Sequence, residues 1–418
     1  MKIFMRKWLL IFIPLLLFLI FLPKIASSPL GKPLITKAFE IKTNSQIKIG
    51  SMNLSWFGPQ KFKDLNYSHD GVTGHLGELE IKAPFWSFSG PFDLKNGQVL
   101  YQGGSIDQIH GQIEGENFEL KGITQQGHIN LSGKIFSKTH YQIQTDLLNF
   151  PLSAIDQQLK NIFGPTLNLT GFINMDKGIG IVHLDVSSPT IKANIRANLT
   201  KDGLTLRDPL VASFIPNIPN FTVQNPVILN INPKGFFFPL PYDFNKIRID
   251  SASLNLGKVT CRTNPAILSL IFLLKATHIS NAKQINAWFA PVAFQLSHSN
   301  LELGRLDLLL ADSIHICTWG KVNLDNDQLN MFLGLPSDTL QKSFGINILS
   351  SNYVMKIPVR GTIQKPEIVS GPAAAKIAAL IAARQIPKNK ILKGIAEVVS
   401  QPKEEKGVPK AVHPFPWE

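Results

Sequence analysis

The chain has 418 residues, a net charge of +13, 44% apolar and 17% charged residues, and two cysteines. That apolar fraction is rich for a soluble domain and too dilute for a multispanning membrane protein, while the length suits two or three domains or one long repetitive body. The surplus Lys and Arg is scattered among Asn, Gln, Ser and Thr without a basic run, so nucleic acid is not the expected partner.

The chain opens "MKIFMRKWLLIFIPLLLFLIFLPKIASSP", with Lys2, Arg6 and Lys7 ahead of an uncharged run. Trp8, Leu9, Leu10, Ile11, Phe12, Ile13, Leu15, Leu16, Leu17, Phe18, Leu19, Ile20, Phe21 and Leu22 are its apolar residues. A spanning helix needs about 20 such residues. The run approaches that length if Met5, Ile25 and Ala26 count and Lys24 snorkels to the interface. Residues 1–26 are therefore read as a membrane anchor; a cleaved signal peptide is the other reading. Either way, the positive-inside bias sends the rest of the chain out of the cytoplasm.

Next, "PLGKPLITKAFEIKTN" (29–44) predicts a short helix ending near Lys42. "KIGSMNLSWFGPQKFKDLNYS" (48–68) predicts strand, turn and strand, with Gly58-Pro59 at the turn. Leu79, Ile81, Ala83 and Phe85 alternate, and Asn96-Gly97 carries the hairpin signal before Val99 and Tyr101. "HINLSGKI" and "TLNLTGFI" share a phrase, apolar-polar-apolar-[ST]-Gly-x-Ile, around Gly133 and Gly171. Further alternating runs span 191–199, 247–256, 301–310, 314–318, 322–324 and 329–333.

Helical text is scarce: "LSAIDQQLKNIF" (152–163) and the apolar "PAILSLIFLLK" (265–275). The expected fold is mainly β, about 20 strands in an elongated antiparallel curled sheet, because parallel pairing would need helical crossovers. Residues 27–245 are read as an N-terminal β region and 246–370 as a C-terminal one. Residues 371–401 carry Ile377, Leu380, Ile381, Ile391, Leu392, Ile395, Val398 and Val399 at offsets that suit amphipathic helices broken near Pro387. They are read as touching a membrane or partner, or as plugging one end of the sheet. Residues 402–418, rich in Pro and Lys, are expected to be disordered.

Cys261 ("KVTCRTN") and Cys317 ("IHICTWG") both lie in strand text. In an exported protein they could pair as a disulfide or remain buried free thiols. No catalytic motif is found: no HExxH, GxSxG, P-loop or Rossmann glycine pattern. The ten histidines are dispersed without i,i+4 pairs, so no metal, cofactor or enzymatic activity is expected.

Alternating strands must hide an apolar side, by closure, by a second sheet, or as a trough left partly open for lipid. A sixteen-carbon tail entering water costs roughly 13 kcal/mol, so a lipid conduit needs an apolar lining without inward charge. In "INLSGKI", "LNLTGFI" and "IKANIRANL" every Lys and Arg can face outward, which makes Leu131, Leu169 and Ile195 candidate groove-lining residues.

Three stretches resemble the AsmA-like family of Gram-negative bacteria, relatives of TamB and of the repeating β-groove lipid-transfer proteins. They are the anchor followed by "IGSMNLSWFGPQKFKDLNYS", the strand-rich "INAWFAPVAFQLSHSNLELGRLDLLLADSIHICTWGKVNLDNDQLNMFLGLPSDTL" (285–340), and "YVMKIPVRGTIQKPEIV" (353–369). The resemblance implies a β-groove protein anchored by a single pass in the inner membrane, its bulk in the periplasm, that binds or transfers phospholipid for the outer membrane. It supplies no catalytic residues. The chain is short beside the largest members, so a groove crossing the periplasm unaided is not implied. The alternative expectation is a non-catalytic scaffold for outer-membrane protein assembly. A β-solenoid polysaccharide enzyme, which needs convergent carboxylates, is the third.

Overall fold

The computed structural model describes residues 21–69, 72–85, 90–101, 104–137, 139–154, 157–218, 221–241, 243–262, 283–385 and 406–418. The anchor residues Trp8 to Ile20, the apolar run 265–275 and the stretch 386–401 lie outside them. Phe21 and Leu22 belong to a helical segment at 21–27. Among the described residues no helix is long and apolar enough to cross a membrane. The protein is mainly β, with strands paired antiparallel throughout the described ladders and few helices, in two compact units, residues 1–188 and 189–418.

In the first unit the described strands form an up-and-down meander. They are β1 (Gln46–Asn53), β2 (Gln60–His69), β3 (Val72–Ile81), β4 (Phe92–Tyr101), β5 (Gly104–Glu114), β6 (Asn117–Thr124), β7 (His128–Ser137), β8 (His140–Pro151), β9 (Thr166–Asp176) and β10 (Ile179–Ser187), and each pairs with the next. The helix Lys32–Thr43, with Pro33 in its first turn and left-handed Asn44 at its end, lays Ile35 and Phe39 on Ile47, Ile49 and Phe62. The expected turn at Gly58-Pro59 is present. Gln60, fully buried, clasps it by donating to the carbonyls of Ser55, Gly58 and Ala83 and accepting from the Ser55 amide.

Asn96-Gly97 is not a hairpin. It sits inside β4, where the register shifts and Asn96 takes φ +53°. Gly50, Asp64, Gly77 and Asn96 drop out of the ladders at the same level of four successive strands, so all four change face phase together. The Asn-Gly pair supplies the left-handed conformation a turn would use, but spends it on this aligned irregularity.

Gly133 and Gly171 answer to close approach. A Cβ on Gly133 would lie 1.8 Å from the Gln142 carbonyl, and one on Gly171, at φ +156°, 2.0 Å from that of His183. Gly171→Val is therefore expected to destabilise the first unit by about 1–3 kcal/mol. Thr170→Val, on the opposite exposed face, should stay within about 0.5 kcal/mol. Urea unfolding of the two variants makes the comparison.

The second unit holds β11 (Ile191–Thr200), β12 (Gly203–Leu206), β13 (Leu210–Phe214), β14 (Phe221–Val223), β15 (Val227–Ile231), β16 (Phe236–Pro239), β17 (Arg248–Asn255), β18 (Gly257–Arg262), β19 (Gln284–Phe289), β20 (Val292–Ser297), β21 (Asn300–Leu310), β22 (Ile314–Asn323), β23 (Gln328–Pro336), β24 (Val354–Gly361) and β25 (Pro366–Ile368). One ladder runs β11-β13-β15-β17-β20-β21-β22-β23-β24-β25. The sequence boundary at 245/246 falls inside this unit, because β15 and β16, before it, pair with β17, after it.

The apolar side of β19 and β21–β24 is filled. Ile285, Leu308, Leu310, Leu335, Met355 and Ile357 pack against Leu340 of the helix Ser337–Phe344 and against Ala373, Ile377 and Leu380 of the helix Gly371–Gln385. The described half of the C-terminal helical stretch is thus a plug on the sheet. Residues 406–418, expected to be disordered, are ordered against the other side of these strands: Phe415 is buried, and Val408 packs with Cys317, Trp319 and Val354. Phe415 and Val408 supply the apolar burial that a Pro- and Lys-rich composition does not announce.

The disulfide is not formed; both thiols are free. Cys261 on β18 and Cys317 on β22 are separated by β19 and β21, and the register puts them on opposite faces. Three strand spacings of about 4.8 Å far exceed a disulfide's reach. Burial raises both thiol pKa values, that of Cys317 to about 12. Under native conditions a maleimide is expected to label Cys261 slowly and Cys317 not at all, with both reacting in denaturant; mass spectrometry of the labelled chain reads this out.

Candidate functional site

Register fixes which side chains share a face. From β6 to β10 one face carries Phe118 and Leu120, then Ile129, Leu131 and Ile135, then Tyr141, Ile143 and Leu147, then Leu167, Leu169, Ile173 and Met175, then Val182, Leu184 and Val186. Between them sit Gly122, Thr124, Gly133, Thr145, Gly171 and Gly180. No Asp, Glu, Lys, Arg or His occupies this face in these strands. Glu119, Lys121, His128, Lys134, His140, Asp146, Asp176, His183 and Asp185 all lie on the other one. There they pair across the surface, His128 with Asp146 at 3.7 Å and His140 with Asp176 at 3.3 Å.

Toward the N-terminus the apolar face continues through Ile113, Leu94, Leu79 and Phe62 to Met52. Beside the helix Lys32–Thr43 it is buried. Over β6 to β10 it is mostly half-buried: Ile129, Leu167, Met175 and Val182 are below a tenth exposed, whereas Leu120, Leu131, Ile143, Leu147, Leu169, Ile173, Leu184 and Val186 keep partial solvent contact.

The structure brings two of the three sequence candidates together. Leu131 on β7 and Leu169 on β9 share this face on either side of β8, Leu131 opposite Leu120 and Thr145, Leu169 opposite Leu147 and Val186. Ile195 belongs to the second unit, on β11, packed against Leu206, Ile231 and Ala252.

A second feature, unseen in the sequence, lies in the second unit. Arg305 binds Asp307 through Nε at 2.9 and 3.1 Å and Nη2 at 2.8 Å; His315 Nε2 meets Asp307 Oδ1 at 2.9 Å, and its Nδ1 meets Asp338 Oδ2 at 3.2 Å. The Arg305, Asp307 and His315 side chains are 8%, 2% and 9% exposed. Burial disfavours a charged imidazole, but the hydrogen bonds and charges of the two carboxylates outweigh it and raise the His315 pKa to about 9. Burial also works against the Asp338 carboxylate, yet the bond and charge from His315 hold it below the ordinary value. The signal was a hairpin: residues 301–310 and 314–318, with left-handed Ala311 and Asp312 at the bend, put Arg305, Asp307 and His315 on one face. Among the described residues no group of three or more His, Cys, Asp or Glu side chains is placed to hold a metal ion.

Comparison with protein-family models, curated proteins and solved structures finds no match to this chain.

Proposed function

We propose that the chain is a non-catalytic lipid-handling protein of a Gram-negative-type envelope, anchored by residues 1–26 in the inner membrane with its bulk in the periplasm. The apolar face of the first unit takes phospholipid acyl chains, as the groove of an AsmA-like protein would, in support of the outer membrane. The observation that carries this reading is that face itself, charge-free and mostly half-buried from β6 to β10 while every ionisable Asp, Glu, Lys, Arg and His of those strands lies opposite. A partly exposed apolar strip of this extent is costly unless something apolar covers it. The net charge of +13 favours anionic head groups nearby.

The second reading is a scaffold for outer-membrane protein assembly. It draws on the second unit, whose apolar side at β19 and β21–β24 is already filled by two helices. Native mass spectrometry of the detergent-extracted full chain separates the two. Lipid handling expects phospholipid retained on the protein after detergent removal; a lipid-free protein would exclude it.

A further inference from the structure

Residues 406–418 form no strand with the body and hold to it as a linear segment. Lys356 Nζ donates to the Lys406 carbonyl at 3.1 Å and Arg305 Nη1 to that of Pro409 at 3.4 Å. Phe415 and Trp417 stack on each other, centroids 4.9 Å apart, and both present their rings to His315, at 5.1 and 5.6 Å. Glu418 folds the end back, accepting from the Phe415 amide at 2.9 Å. A cleft of about 650 Å³ runs along this contact, lined from the body by Arg305, His315, Asp338 and Val354 and from the segment by Pro409 and Phe415.

These are the means by which folded domains read extended peptides: cations on backbone carbonyls, aromatic side chains in a cleft, and prolines at 409, 414 and 416 that lower the ordering cost. Beneath the segment, the ionic cluster and the helix-plugged core also have partners within the body. Arg305, Asp307, His315 and Asp338 satisfy one another, and the helix-plugged core lies on the opposite face of the same strands.

We propose that the body face around Arg305, His315 and Lys356 is a recognition site for linear proline–aromatic peptides, and that residues 406–418 are its resident ligand, a tethered strap that an incoming peptide of the same chemistry displaces. The tether gives the strap a high effective concentration, so a free peptide competes poorly until the strap is weakened.

The test uses the full chain and a fluorescein-labelled peptide of residues 406–418, followed by fluorescence polarisation. The peptide is expected to bind the Phe415→Ala/Trp417→Ala protein at least about tenfold more tightly than the wild type. A peptide carrying the same two substitutions should bind neither. Equal binding to both proteins, or binding to neither, overturns the proposal. If the double variant fails to fold, hydrogen exchange on the wild type decides: excess unlabelled peptide should raise exchange at the strap's amides, and unchanged protection there would overturn it.

Discussion

Leu131→Asp and Leu169→Asp are each expected to abolish phospholipid retention while leaving the first unit folded. Both side chains are half-buried, so an introduced carboxylate can reach water when the face is empty. With an acyl chain in place, water leaves and the carboxylate faces hydrocarbon, a position it tolerates only by taking up a proton or expelling the chain. Losing contact with about four methylenes alone is worth roughly 3 kcal/mol, near a hundredfold in affinity. Gln144→Asp, exposed on the opposite face of β8 between these two strands, should change nothing. Ile195→Asp is a different experiment: it places charge against Leu206, Ile231 and Ala252 in the second unit, and should lower the melting temperature. Lipid phosphorus per chain and thermal melts, measured on all four variants, keep binding and stability apart. If the Leu131 and Leu169 variants keep their lipid, the face is not the binding surface and the scaffold reading gains.

What could be read from sequence was whatever depends on period and neighbours. The two-residue alternation in "HINLSGKI" and "TLNLTGFI" announces strands and a wet and a dry face, and β7 and β9 present them so. The helix Lys32–Thr43 was legible from its text and its proline, and 152–163 resolved into a short 3-10 turn, Leu152–Ala154, and a helix, Gln157–Phe163. Non-local features were not legible. Asn96-Gly97 carries a true left-handed signal, but whether it closes a hairpin or kinks a strand depends on β3 and β5 on either side. The helix Ser337–Phe344 was not anticipated, because it follows the alternation of β23 without a polar cap at Pro336; its stop at left-handed Gly345 was the available clue. The tail at 406–418 looked disordered because its partner, the face around His315 and Trp319, lies far away in sequence.

The ionic cluster beneath that tail makes the largest stability prediction. Asp307→Ala would leave Arg305 and His315 as buried cations without their shared carboxylate, a change expected to cost about 3–5 kcal/mol. Asp307→Asn, which keeps an acceptor but no charge, should cost less. The wild type should also show a pH signature of definite sign. His315 titrates near 9 in the folded chain, against 6.5 for the free side chain. Its contribution is therefore complete below pH 6.5 and disappears as pH rises through 9, in all about 3 kcal/mol. Asp338, held below its ordinary value, acts in the opposite sense, contributing above the usual carboxylate range and losing that contribution in acid. The second unit should thus be most stable between these limits. Urea midpoints from pH 6 to pH 10 are expected to fall steadily for the wild type and to flatten in His315→Gln, which has no proton to lose. A wild-type profile as flat as the variant's would mean that His315 is neutral in the folded chain, and that the carboxylates of Asp307 and Asp338 do not hold its proton.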